Sequence, residues 1–286
     1  DLLTDLLKSV SRAFYLTLRV LPASLRAPIG LAYLLARAAD TIADTQAVPR
    51  EDRLGFLLSL RKQVQQGIDP TDLAEITDSL VGQQPSESER NLLESLPRVF
   101  GLLESMPDLD AQRVRSIVVT LTQGMEFDLT TFPDEESGEI RALDGDSDLD
   151  RYAYSVAGCV GEFWTDISID HIGSLKNWDR AEMSTLGVRF GKALQMTNVL
   201  RDVPSDLRIG RCYLPSSVLE SVGLLPEDLM SPDSASRARS VLVDNIRLTL
   251  DHFRAAESYL MAIPRRNIRL RLAAVWPLLI GLGTLG

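Results

Sequence analysis

The sequence predicts an all-α protein. Apolar residues recur at helical spacing almost from end to end, and no convincing run alternates in the manner of a strand. Hydrophobic residues make up 45% of 286 positions, enough for a sizeable core, so a single helical domain over 1–286 is the simplest arrangement.

The periodic stretches follow in order. Leu2–Leu21 reads as a short helical segment ended by Pro22, and Pro28 is expected near the first turn of a helix reaching about Asp44, where proline is tolerated. A helix over about Arg50–Gln66 stops at Gly67. Ser86 to Glu89 has the Ser-x-x-Glu form of a capping box and opens a helix of about twenty residues, interrupted or kinked at Pro97. Asp110–Thr131 is the next helix and carries Gly-Met-Glu-Phe-Asp at 124–128. Residues 132–150 are acidic, contain glycine and lack periodicity, which predicts a surface loop. Helical pattern resumes over Tyr152–Ile169, with Ala157, Gly158 and Gly161 small enough for close approach of another helix or a ligand chain. A further helix starts at about Arg180, and the stretches Pro232–Ile263 and Arg265–Gly286 are separated by Pro264.

The net charge of −10, from 40 acidic and 30 basic residues, argues against nucleic acid or an anionic membrane as an electrostatic partner. Cys159 and Cys212 lack the close partners of a zinc site or disulfide framework, which points to a reducing, cytoplasmic setting. No charged stretch followed by an apolar run and cleavage site opens the sequence, so secretion is not expected. The apolar stretch Leu272–Gly286 falls short of the about 20 residues that cross a bilayer. His171 and His252 share no motif with a nucleophile, and no P-loop is present.

The chemistry gathers in two stretches. From Leu194 to Pro215 an apolar helical pattern carries Gln195, Asn198, Arg201, Asp202 and Asp206, and from Tyr33 to Thr45 another carries Arg37, Asp40 and Asp44. Aspartates at i and i+4 repel by roughly 0.2–0.5 kcal/mol, a local loss unless a cation lies between them. Hard carboxylate oxygens suit Mg²⁺, which fills the rest of its shell with water and phosphate oxygens. Either pair alone could be a solvated face with an Arg–Asp salt bridge. Two pairs, each in apolar sequence and each with an arginine nearby, favour a site for a diphosphate held through magnesium.

Ser11–Phe14, Tyr33–Asp44, Tyr152–Gly161 and the run from Leu194 to Pro215 resemble the squalene/phytoene synthase family in order and spacing. Gly-Met-Glu-Phe-Asp resembles its Gly-Met-x-x-Asp stretch. The resemblance implies a helical isoprenoid synthase bundle around a central cavity. It implies a prenyltransferase that joins two farnesyl diphosphates head to head into presqualene diphosphate, and then, as in squalene synthases, reduces that product with NADPH. Asp40-Thr41, Leu-Gln-Met-Thr-Asn and the late Ala-Ala-Val-Trp-Pro segment resemble squalene synthases more than phytoene synthases. Asp40, Asp44, Asp202 and Asp206 are then the metal ligands, with Asp40 and Asp202 essential to turnover. Arg12, Arg37, Arg201, Arg211, Gln195 and Asn198 would grip diphosphate, and Asn198 is also placed beside NADPH. Phe14, Leu18, Val156, Cys159 and Val160 are candidates for an apolar wall that keeps water from a carbocation. Tyr152 is placed beside the proton loss that closes the cyclopropane, with Tyr33 second. A phenol near pKa 10 is a poor base, so released diphosphate could take the proton while the tyrosine steadies the cation.

Several features depart from the family. Ala43 and Ser205 stand where its acidic boxes usually carry glutamate, Ala13 replaces a frequent serine, and Pro204 is expected to kink the helix and set Asp206 past the bend. In the family a basic loop and a further helix follow the late apolar segment, whereas this sequence ends at Gly286, so a shortened C-terminus is expected. Gly281 to Gly286 fits G-x-G-x-x-G but follows a helical stretch, which marks it as a chance match. Two alternatives remain: an enzyme that stops at presqualene diphosphate or makes dehydrosqualene or phytoene, and a non-catalytic assembly factor, which loss of the aspartates would mark. Peripheral membrane contact at product release and the oligomeric state stay open.

Overall fold

The computed structural model describes residues 2–11 and 14–285, the side chain of Phe14 excepted. The expectations for Arg12, Ala13 and the Phe14 side chain lie outside the described residues. In chain order the helices are α1 (Leu7–Val10), α2 (Phe14–Val20), α3 (Ala23–Asp44), α4 (Arg50–Gln66), α5 (Pro70–Leu80), α6 (Glu87–Glu94) and α7 (Leu96–Glu104). There follow α8 (Asp108–Thr131), α9 (Asp146–Ala153), α10 (Cys159–His171), α11 (Arg180–Arg208), α12 (Ser216–Ser221), α13 (Ala235–Ala262) and α14 (Ile268–Leu285). Two short strands, β1 (Arg141–Leu143) and β2 (Arg211–Pro215), join them. The all-α expectation holds. The chain divides into two compact units, each drawn from three stretches: Asp1–Glu126, Phe163–Trp178 and Pro264–Ala274 in the first, and Phe127–Glu162, Asp179–Ile263 and Val275–Gly286 in the second.

The first unit is built on α3. Leu31, Leu34, Leu35, Ala38, Ala39 and Ile42 are fully buried there, each leucine or isoleucine contributing about 1.5–3 kcal/mol. Arg53 of α4, also buried, donates from Nη1 to the Ala43 carbonyl at 3.0 Å and so satisfies one of the carbonyls that the end of α3 leaves over. The helix begins directly after Pro22, so Pro28 lies inside it and not in its first turn. The single segment expected over Leu2–Leu21 is broken, because Ser11 turns its hydroxyl and its N–H back onto the Leu7 carbonyl and closes α1. Helix α5 was not expected at all. Asp69 caps it, its carboxylate accepting from the Thr71 N–H at 2.9 Å, and Pro70 opens the first turn. Of the two alternatives at Pro97 the interruption is the one observed: Ser95 separates α6 from α7, and Pro97 sits in the first turn of the new helix.

The second unit is built on α11, which packs along α13 and against the π-helical turn Tyr154–Gly158. Asp179 caps α11 by accepting from the N–H groups of Ala181 and Glu182 at 3.0 and 3.1 Å. Backbone meets backbone here: a Cβ on Gly161 would fall 1.8 Å from the Gly187 carbonyl oxygen, and one on Gly191 would fall 2.1 Å from that of Ala157. The small residues expected to permit either helix packing or a ligand chain are thus used for helix packing at these positions. Gly161→Ala should cost about 1–3 kcal/mol by forcing the two backbones apart. A lowered midpoint in thermal or urea unfolding checks this, and an unchanged midpoint would show that the contact yields freely.

The stretch 132–150, expected to be a loop, contains β1 and the start of α9. Strands β1 and β2 run parallel, with Arg141 opposite Arg211, Ala142 opposite Cys212, and an irregularity before Leu143. Gly210 makes the pairing possible: its φ is +81°, and a side chain there would strike the Glu139 carbonyl. The C-terminal apolar stretch is longer than expected. Helix α14 has 18 residues and is, by length and composition, a candidate to cross a membrane, with 28% of it buried. Its Gly281 packs onto the Phe253 ring inside a helix, which confirms that the glycine spacing there is not a dinucleotide loop.

Candidate active site

In the first unit, α3 presents Asp40 and Asp44 one turn apart, with Arg37 one turn earlier. They line a cavity of about 440 Å³ together with Thr45, Gln84 and Glu89. Arg37 is shared: Nη1 pairs with Asp40, and Nη2 donates to Glu89 at 2.6 Å. Burial, and then the charge of Asp44, push the Asp40 carboxyl up to about 6 although Arg37 pulls it down. This donor set fits a hard divalent cation: two carboxylates of one helix repel each other on the wall of one cavity, and the arginine present does not offset the cost. Glu89 had been expected in a capping box. Ser86 makes no such cap, its hydroxyl lying 2.7 Å from that of Ser88, and the glutamate reaches Arg37 instead. Ala43, where the family's glutamate is missing, is buried. Tyr33 stands on the same helix and donates to the Val10 carbonyl at 3.3 Å; Leu18 is buried.

In the second unit, α11 carries Gln195, Asn198, Arg201, Asp202 and Asp206. The expected kink is absent: the helix continues through Pro204 to Arg208. Proline removes one N–H near the end of a long, well-packed helix, and the Ser205 hydroxyl donates to the Asp202 carbonyl at 2.8 Å, so the turn holds. Asp206 therefore sits one turn from Asp202. Burial and then the Asp202 charge raise its carboxyl to about 6, with Arg211 and Arg201 opposing. Arg201 donates to both Asp202 oxygens, at 2.8 and 2.6 Å. This pair, like the first, has the oxygen chemistry that suits magnesium, and a repulsion that its arginines offset only in part.

Also within this unit, Tyr152 belongs to a polar cluster that the sequence did not reveal. Its hydroxyl lies 3.4 Å from Asp128 Oδ2 and accepts from Gln195 Nε2 at 3.4 Å. Its ring stacks on Tyr213 at 4.6 Å, and the Tyr213 hydroxyl donates to the same Asp128 oxygen at 2.8 Å. Arg211 stands 3.8 Å from that oxygen and donates to Glu135 at 3.1 Å. Burial, and next the charge of Asp128, raise both phenols well above the usual 10. Gln195 and Arg211, expected on diphosphate, are thus engaged with Tyr152, Asp128 and Glu135. Of the wall residues, Val156 packs against the apolar cluster that contains Tyr152 and Met196, Cys159 is buried with its thiol pushed up to about 12 by burial, and Val160 is 39% exposed. Asn198 is half-buried on α11. Asp128 was legible as part of the Gly-Met-x-x-Asp stretch, and Tyr213 lies in the family-like run ending at Pro215 without having been marked as a site residue; Glu89 was read only as a helix cap, and Glu135 carried no motif signal. His171 bonds Asp110 at 2.8 Å, and His252 accepts from Arg189 at 3.3 Å.

The model of the squalene/phytoene synthase family matches residues 7–286. The chain belongs to that family. Squalene/phytoene synthases are prenyltransferases that join prenyl diphosphates head to head, and their chemistry depends on magnesium. The presqualene diphosphate synthase of Rhodopseudomonas palustris is 31% identical over 264 residues, covering 91% of this chain and 78% of that one. Among solved structures, the complex of TcSQS with the ligand BPH1237 aligns with a TM-score of 0.77 at 22% identity, over 99% of this chain and 76% of the other. The squalene synthase HpnC of Alicyclobacillus acidocaldarius aligns at 0.68 and 18% identity, over 99% and 90%. At these identities the structures establish the isoprenoid synthase helical fold.

Proposed function

We propose that this squalene/phytoene synthase joins two farnesyl diphosphates head to head and releases presqualene diphosphate. The observation that carries the reading is the pair of repelling carboxylates, repeated at 40/44 and 202/206, with Asp40 and Asp206 both raised to about 6. The similarity to the presqualene diphosphate synthase of Rhodopseudomonas palustris supports this product. Asp40, Asp44, Asp202 and Asp206 would hold magnesium, which when bound neutralises the charge that develops on a departing diphosphate.

The chain's own groups supply the rest. Arg37 and Arg201 carry guanidinium forks that match diphosphate oxygens once their present carboxylate partners are drawn elsewhere. Tyr152 stays neutral at every working pH and offers its oxygen and ring face to the cation. Val156 and Cys159 keep water from its neighbourhood. Peripheral membrane contact by α14, where Leu279 and Ile280 are exposed at 58% and 64%, suits release of an apolar product.

A second reading, reduction to squalene with NADPH, is favoured by the likeness of Leu-Gln-Met-Thr-Asn and the late apolar segment to squalene synthases. The glycine-spaced segment in α14 does not fit a dinucleotide, and Asn198 with the neighbouring arginines would contact the cofactor instead. Incubation with farnesyl diphosphate and Mg²⁺, with and without NADPH, followed by identification of the lipid products, separates the readings. Presqualene diphosphate in both tubes is expected. Squalene only with NADPH would establish the second reading, and no C30 product in either would overturn both.

A further inference from the structure

Closing the cyclopropane of presqualene diphosphate releases one proton, and a tyrosine whose hydroxyl stays protonated has no free base form to take it up unless its own proton leaves at the same time. Resting on the reaction proposed above, we infer that Asp128 is the terminal acceptor of that proton, reached through the hydroxyl of Tyr152. The carboxylate of Asp128 receives the Tyr213 hydroxyl at 2.8 Å, faces Arg211 at 3.8 Å, and lies 3.4 Å from the Tyr152 hydroxyl. The Tyr152 oxygen accepts from Gln195, which directs its own hydrogen away from the amide and toward Asp128. Both Tyr152 distances are long for settled hydrogen bonds, the loose geometry common before substrate tightens a site.

The step balances. A C–H bond beside the cation breaks and its electron pair closes the third ring bond. The proton arrives on the Tyr152 oxygen as that oxygen's own proton leaves for Asp128 Oδ2. The tyrosine ends as it began, a neutral phenol, and Asp128 ends as a carboxylic acid. Its side chain is 16% exposed, enough to return the proton to water before the next turnover. A concerted hand-over is required, because burial and the Asp128 charge put a free tyrosinate out of reach. Tyr213 serves as the clamp: stacked on Tyr152 and bonded to Asp128, it fixes the carboxylate relative to the ring. Asp128 acts through Tyr152 and is in that sense a positioning residue.

Asp128→Asn keeps the size and an acceptor oxygen for Tyr213 but removes the capacity to take a proton. With farnesyl diphosphate and Mg²⁺, its kcat should fall about 100- to 1,000-fold while KM stays within about threefold. Asp128→Glu should recover at least about tenfold of that loss, which a merely structural role for the charge-neutral shape would not give. Because the two groups act as a unit, Asp128→Asn combined with Tyr152→Phe should be no worse than the poorer single variant. One readout does not depend on how much protein is folded: the ratio of water-captured alcohol to presqualene diphosphate should rise at least about tenfold in Asp128→Asn. An Asn variant with near-normal kcat, an unchanged product ratio, or losses that multiply in the double variant would overturn the relay while leaving the reaction intact. Wild-type protein that makes no cyclopropyl product would remove the reaction itself, and the relay with it.

Discussion

Asp40→Asn should lower turnover of farnesyl diphosphate by about 10²–10³-fold, and Asp202→Asn should do the same, with helical circular dichroism unchanged. Groups that stabilise developing charge are each worth about 10²–10³ in rate, and these two residues each anchor one acidic pair. The folded state should tolerate the change at position 40, because Arg37 keeps Glu89 as a partner at 2.6 Å. Stability should even improve without metal. The Asp40 carboxyl rises from 3.8 to about 6 on folding, so between those values the folded chain holds a proton that the unfolded chain has lost. Stability from this group therefore falls as pH rises through that window, and the full cost persists above about 6. Asparagine carries no such cost. Melting of metal-free protein should show a gain for Asp40→Asn at pH 8 and none at pH 4. Near-normal turnover in either variant, or indifference to EDTA, would sink the magnesium reading.

The second large effect concerns Asp206. With α11 continuous through Pro204, Asp206→Ala should cost as much kcat/KM as Asp202→Ala, about 10²–10³, and added Mg²⁺ should not rescue one selectively. Sequence reasoning leads to the opposite expectation, a weaker ligand beyond a kink. Titrating both alanine variants with Mg²⁺ decides between them: selective recovery of the Asp206 variant would show that the turn is looser than the helix implies.

Pro204 shows where local propensity misleads. Proline's penalty is a property of the residue and its neighbours, but a helix of 29 residues packed along α13 can absorb one missing bond. The helical class, the two aspartate pairs and their arginines were readable because they rest on spacing within single helices. What was not readable depends on distant chain. Tyr213 meets Asp128 across 85 residues, Arg37 meets Glu89 across 52, and β1 pairs with β2 through strands too short to show alternation. Helix α5 is different: Asp69-Pro70 is an explicit start signal and Leu73, Ile76 and Leu80 follow it at helical spacing, so this helix was readable from local sequence alone.

The contact of Gly161 with the Gly187 carbonyl and of Gly191 with that of Ala157 bears on what evolution could do with this chain. Every amino acid other than glycine brings a Cβ, so neither position has a neighbouring residue type into which it can drift. Glycine would persist at both sites in a descendant that had lost its aspartates and all its chemistry. Ranked by invariance among relatives, these two positions would stand beside Asp40 and Asp202, yet they would report only that two backbones touch. Retention of the carboxylates is what separates an enzyme from a scaffold of the same shape.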